Sequence, residues 1–296
     1  MSTVELKGCG TALVTPFTAD GAVDYAAYAA LVDRQVASGV HFLVALATTG
    51  ETPALTGEER VELLKITREH AAGLPVLVGC GSNAVHSTLA NMRLVEPYGV
   101  DAWLVVVPFY NKPTQEGQYQ YFKTIAAHTD KPVVIYNVPG RTGANMSAET
   151  CLRLARDVKN IVATKEASGK YEQIEEILRG APADFTVLSG DDDMTLSVMK
   201  IGAKGVVSVA SNAAPAQVSA LVATALAGDY TLAAALESAL KPLFKACFLE
   251  SNPIPVKAAL NLLGCCSDAV RLPLVPASAA TREHMARVLK DLGLLM

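Results

Sequence analysis

Eight short apolar runs recur along the chain, and this rhythm constrains the fold more than any other feature. They occupy residues 10–15, 42–47, 75–79, 102–107, 132–136, 160–165, 185–189 and 205–209. Each is apolar throughout rather than strictly alternating, which suits parallel strands covered on both faces. Most gaps between them carry amphipathic helical patterns, as in 58–72, where Val61, Leu64 and Ile66 interleave with charges, and in 171–178. Eight β-α units within about 220 residues fit a (β/α)8 TIM barrel, an α/β fold, better than a doubly wound sheet. A chain of 296 residues can build such a barrel as one unit.

Helical character persists from Pro215 to the end, which is more than an eighth barrel helix requires. Residues 1–224 are therefore expected to form the barrel, with 225–296 a C-terminal helical extension packed on it. Within that extension Asn252-Pro253-Ile254-Pro255 marks a sharp connection between helices. One stretch also invites a membrane reading, since no charge lies between Lys204 and Asp229. Polar residues interrupt it and Pro215 splits it, so a strand, a loop and a helix explain it better than a membrane span.

Bulk composition excludes several classes of function. Hydrophobic residues make up 51% and charged residues 18%, which opposes disorder. The formal net charge of −4 provides no basic footprint for nucleic acid. Six cysteines lack metal-type spacing, and the opening MSTVELKGCG is too short and polar for a secretory signal. Both point to reduced thiols and a cytoplasmic protein.

In a barrel of this kind the chemistry belongs at the C-terminal ends of the strands. Four segments sit there: Thr48-Thr49-Gly50-Glu51, Tyr136-Asn137, Lys165-Glu166 and Ser189-Gly190-Asp191. Strand periodicity is expected to put Ile161, Ala163 and Lys165 on one face. If that face lines the barrel, desolvation favours the free amine over the ammonium, and the amine can form an imine with a ketone. The plainer reading, a lysine snorkelling to solvent and pairing with Glu166, carries more weight on this feature alone.

Each companion residue also has two readings. Tyr136 can move protons between intermediates or be a packed aromatic. Arg141, in a loop rich in Gly and Pro, can grip a carboxylate or be a surface charge. Thr48-Thr49 can hold a carboxylate at a strand end, while Thr56 and Glu59 resemble a capping box for the next helix. Residues 79–84 fit a short dinucleotide pattern but follow the third strand, so nucleotide binding is disfavoured. Asp191-Asp192-Asp193 reads as an acidic helix start rather than a cation site. No histidine spacing suggests a metal, and the expected chemistry uses neither metal nor cofactor.

Taken together, these segments resemble the dihydrodipicolinate synthase family of pyruvate-dependent class I aldolases, to which N-acetylneuraminate lyases are related. The similarity runs from Val14-Thr15-Pro16-Phe17 to Asn252-Pro253-Ile254-Pro255-Val256-Lys257. The resemblance implies that Lys165 forms the Schiff base, with Tyr136 as its acid/base partner. Thr48 and Tyr110 complete a proton relay, Tyr110 reaching in from a neighbouring subunit. Thr49 helps hold the pyruvate carboxylate, and Gly190 and Val207 finish the pocket.

Arg141 resembles the residue that binds the carboxylate of the second substrate. The implied reaction joins pyruvate to L-aspartate 4-semialdehyde, giving 4-hydroxy-tetrahydrodipicolinate for the diaminopimelate route to lysine. The implied assembly is a homotetramer built as a dimer of dimers. The alternatives are a pyruvate aldolase acting on a sugar acid, a nucleotide-dependent oxidoreductase, and a non-catalytic binding protein on the same fold.

One departure from the family pattern concerns feedback by lysine. Where inhibited relatives carry polar or aromatic residues, often a histidine, a glutamate and a tyrosine, this chain has Gly57, Arg60, Ser87 and Phe109, with Asn83 retained. A pocket without the carboxylate holds ammonium groups poorly. We expect L-lysine at submillimolar concentration to leave the purified enzyme's rate unchanged in a steady-state assay.

Overall fold

The computed structural model describes residues 4–295. Its centre is a closed barrel of eight parallel strands in sequence order: β1 (Gly8–Ala12), β2 (Phe42–Ala45), β3 (Val76–Gly79), β4 (Ala102–Val106), β5 (Val133–Asn137), β6 (Ile161–Glu166), β7 (Thr186–Ser189) and β8 (Gly205–Ser208). Helices follow the strands, as the spacing of the apolar runs requires. The first strand starts two residues before the apolar run that predicts it, and residues 13–15 leave the sheet.

The strands are apolar on both faces because they serve two cores. Along β2, Phe42 and Val44 turn into the barrel, where they meet Leu77, Leu104, Val134, Ala163, Leu188 and Val207. Leu43 and Ala45 turn outward to the helices and join Val78, Trp103, Ile135, Val187 and Val206. The alternation fails at one place. Pairing of β5 with β6 slips between Val133 and Val134, so Ile161 pairs with Val133 while Ala163 pairs with Val134. An extra residue in one strand reverses which face the earlier side chains occupy. Ile161 therefore packs in the outer core, not on the face of Ala163, which corrects the simple periodicity expected for this strand.

The charge-free stretch resolves into β8, a short 3-10 turn Ala210–Asn212 and the helix Pro215–Leu226. No helix among the described residues is long and apolar enough to cross a membrane. Three further helices follow, Tyr230–Ala246, Ile254–Leu262 and Ala279–Asp291. Leu240, Phe244, Leu260, Met285 and Leu289 from these helices merge into the outer core, so the extension shares its hydrophobic interior with the barrel.

Barrel closure depends on a tight seam between β1 and β8, where Gly8 pairs with Gly205. Gly205 has φ +148°, and a Cβ there would lie 2.0 Å from the Gly8 carbonyl oxygen. Only glycine satisfies both conditions. Gly205→Ala is expected to lower the unfolding free energy by roughly 2–4 kcal/mol, from backbone strain plus overpacking. Gly228→Ala, also at positive φ but facing open space, should cost only about 1 kcal/mol. Urea denaturation of both variants measures the difference, and equal midpoints would show that the seam is not tight.

Candidate active site

The strand period that fails at Ile161 holds from Ala163 onward. It sends Lys165 into the barrel mouth and Glu166 out toward the helices. Lys165 is 5% exposed, so its amine does not snorkel to solvent. Its Nζ lies 4.1 Å from the centre of the Tyr136 ring. The two residues are register partners on β6 and β5, so backbone hydrogen bonding sets their separation. Glu166 makes no ion pair with Lys165. Its carboxylate accepts from Asn137 Nδ2 at 3.0 and 3.2 Å and from the Ser168 N–H at 3.0 Å. Burial pushes the Glu166 carboxyl up to about 7, with those hydrogen bonds opposing the rise.

Two further carboxylates approach from the end of β7. Burial raises both Asp191 and Asp192 above the ordinary aspartate range, and attraction to Lys165 works against that rise. Asp192 Oδ2 accepts from the Val209 and Ala210 N–H groups, both at 3.0 Å. The expected acidic helix start is thus a short 3-10 turn, Asp192–Met194, in which one aspartate is buried and fastens β7 to the turn after β8.

The threonine segment forms a 3-10 turn after β2, spanning Thr48–Gly50. Glu51 follows in the left-handed region at φ 52° and points inward, where it meets Lys257 at 2.8 Å in an ion pair with both side chains buried. The Thr15 carbonyl accepts a second hydrogen bond from the Lys257 ammonium, and the Arg271 N–H donates to Glu51. Burial lowers Lys257 below the usual lysine range, with Glu51 opposing. Five residues before Lys257, Asn252 Nδ2 donates to Thr49 Oγ1 at 3.0 Å. The backbone carbonyl of the same asparagine accepts from Arg141 Nη2 at 3.3 Å.

The residues singled out from sequence therefore divide. Lys165 and Tyr136 meet directly, and Thr49 and Arg141 are joined through Asn252. Gly190 lies at the end of β7, where a Cβ would come within 2.5 Å of the Ala167 Cβ. Val207 is fully buried inside the barrel on β8. Thr48 is half-buried at the turn. Tyr110, by contrast, is 87% exposed and sits at φ 72° on the loop after β4.

Sequence reasoning missed Asn252 and Lys257 as parts of this arrangement. Their signal was a lone lysine in an otherwise uncharged helix, with a lone glutamate in a glycine turn to match it. The glycines of 79–84 have a plain packing role. A Cβ on Gly79 would lie 2.1 Å from the Leu46 carbonyl oxygen, and one on Gly81 2.5 Å from the Val106 nitrogen. Thr56 and Glu59 do form the capping box, with both reciprocal hydrogen bonds present.

Comparison with known proteins shows the family and the fold. The model of the dihydrodipicolinate synthetase family matches residues 5–292. The chain belongs to this family. A 4-hydroxy-tetrahydrodipicolinate synthase of Phocaeicola vulgatus is 48% identical to it over 99% of both chains. The crystal structure of dihydrodipicolinate synthase from Thermotoga maritima superposes with a TM-score of 0.96 at 47% identity, covering 98% of this chain and 99% of that one. A dihydrodipicolinate synthase from Acinetobacter baumannii, complexed with pyruvate, gives a TM-score of 0.96 at 38% identity, covering 98% of this chain and all of that one.

As in any fold, removing one partner of a buried ion pair strands the other charge in a dry site. Lys257→Met is expected to cost about 3–5 kcal/mol of stability, measured by chemical denaturation. Adding Glu51→Gln to it should recover part of the loss, since the stranded carboxylate is then gone. A strictly additive double variant would contradict the pairing.

Proposed function

We propose that the chain is a lyase of the class I aldolase type, a 4-hydroxy-tetrahydrodipicolinate synthase, which condenses pyruvate with L-aspartate 4-semialdehyde. The observation that carries this reading is the Lys165 amine, enclosed at the barrel mouth against the Tyr136 ring. An amine so placed adds to the ketone carbon of pyruvate. Loss of water from the carbinolamine leaves an imine between Lys165 and the substrate.

The imine withdraws electrons from the adjacent methyl group. Tyr136 is the group assigned to move protons at this stage, accepting from one intermediate and returning to the next. Loss of a methyl proton gives an enamine, whose carbon attacks the aldehyde of the second substrate. The amino group of that substrate then attacks the imine carbon, closing the ring and releasing Lys165 as a free amine. Every bond made to the enzyme is broken again, and the sequence uses no cofactor and no metal.

The remaining residues are assigned by their positions around this centre. The Thr48-Thr49 turn offers hydroxyls and N–H groups to the pyruvate carboxylate. Arg141, with its fork partly steadied by the Asn252 carbonyl, suits the carboxylate of the amino-acid aldehyde. Gly190 and Val207 line the pocket, Gly190 by letting the end of β7 lie close against Ala167, where any side chain would clash. Thr48 and Tyr110 extend the proton path beyond Tyr136. The exposure of Tyr110 in the single chain favours a role in a neighbouring subunit, within a homotetramer arranged as a dimer of dimers. The enzyme is assigned to the cytoplasm, on lysine biosynthesis by the diaminopimelate route.

Borohydride reduction in the presence of pyruvate tests the reading. A stable adduct of pyruvate mass is expected on the peptide containing Lys165, and Lys165→Ala should lose it entirely. An adduct on another lysine, or none, would overturn the assignment. With pyruvate bound, L-aspartate 4-semialdehyde should be consumed and an N-acetylated amino sugar should not, which separates the synthase from a sugar-acid aldolase.

A further inference from the structure

The rung that carries Lys165 and Tyr136 has a counterpart on the opposite face of the sheet. Tyr136 pairs with Lys165, and the next partners along β5 and β6 are Asn137 and Glu166. Successive strand residues point to opposite faces, so the first pair enters the mouth while the second turns toward the helices. Both members of the second pair are 1% exposed.

There the Asn137 amide reaches both carboxylate oxygens of Glu166, at 3.0 and 3.2 Å. The Ser168 N–H donates to the same carboxylate at 3.0 Å, anchoring the turn after β6. Asn137 Oδ1 accepts from the Met146 N–H at 3.0 Å, and Asn145 Nδ2 donates to Gln173 Oε1 at 2.8 Å. One polar cluster thus joins the ends of two strands, the loop after Arg141 and the helix Tyr171–Gly180.

Burying a carboxylate without a cation beside it is costly. Holding the two strands together needs no such group, because backbone ladders and apolar contacts do that already. What the carboxylate adds is direction, since it fixes the Asn137 amide and through it the strand ends one residue from the reacting groups. We propose that Glu166 is a positioning residue that acts through Asn137 to fix the Tyr136 phenol relative to the Lys165 amine, and thereby sets the rate of proton transfer rather than the affinity for pyruvate. This rests on the Schiff-base reading above.

The test separates proton transfer from binding and from folding. Glu166→Ala, Asn137→Ala, the double variant and Glu166→Gln are compared with the parent protein. The readouts are kcat, the KM for pyruvate, the exchange of pyruvate methyl protons into D2O followed by NMR, and the yield of the borohydride adduct. Misplacing a catalytic group by about 1 Å costs on the order of 100-fold in rate. We expect each alanine variant to slow kcat and methyl exchange by about 10- to 100-fold. The KM should change by no more than about threefold, and adduct yield at saturating pyruvate should be kept.

The double variant should be no slower than the worse single one, because both act through one contact. Glu166→Gln retains shape and one acceptor, so it should recover most of the exchange rate and remains informative if the alanine variants do not fold. Parent-like exchange in folded alanine variants, additive losses in the double variant, or a loss in Glu166→Gln that falls on KM would each overturn the proposal. Failure of the Schiff-base reading itself registers separately, as a parent protein that forms no adduct with pyruvate.

Discussion

The two-residue period of a β-strand decides which chemistry this barrel can present. At the end of β6 it divides consecutive ionisable residues between opposite faces, Lys165 inward and Glu166 outward, although both are buried. A one-residue slip would exchange them and put the carboxylate at the mouth. Such a slip does occur nearby, at Val133 and Val134, and it is confined to the lower end of the strand pair. Above it the rungs are regular, and Lys165 faces Tyr136 across a backbone ladder instead of through flexible loops. Placing the pair on strands gives it the rigidity that a positioned amine and phenol need.

A second constraint ties the mouth to the C-terminal extension. The threonine turn after β2 ends in a left-handed Glu51 whose charge is buried, and such a charge persists only when paired and hydrogen-bonded. Lys257 supplies the pair, and the same segment brings Asn252 to Thr49 and Arg141. Two groups assigned to different substrate carboxylates are thus held by one asparagine. The extension is therefore more than an outer layer, because residues far apart in sequence share the ordering of the site.

These relations explain what the amino-acid sequence alone makes legible. The eight apolar runs were legible because every barrel strand is covered on both faces, leaving an unbroken apolar signature where the helices show a longer period. Lys165, Tyr136 and Thr49 could be singled out because strand ends are where polar residues interrupt such runs, and Arg141 because it sits in the Gly- and Pro-rich loop that follows one. The slip at Ile161 was not legible, since an extra strand residue changes the face of a side chain without changing its apolar character. Nor was the Glu51–Lys257 pair, whose members lie 206 positions apart and become partners only when the extension folds back on the barrel. The acidic run illustrates the same limit. Asp192 looks like its two neighbours in sequence, and only the nearness of the Val209 and Ala210 N–H groups makes it an internal fastener.

Tyr110 bears on how much of the machinery one chain contains. A tyrosine that is 87% exposed and held at φ 72° gains nothing from burial within its own subunit. A backbone strained into the left-handed region at a bulky residue has to be compensated elsewhere in the structure. Exposed aromatics lose little rotamer freedom on association and bury much surface, which is why they serve as anchors between protein surfaces. If the phenol completes a relay begun at Tyr136, the relay closes only where a second copy covers this loop. In the proposed mechanism the enclosed amine of Lys165 belongs to each chain singly, while the proton path assigned through Tyr110 belongs to a pair.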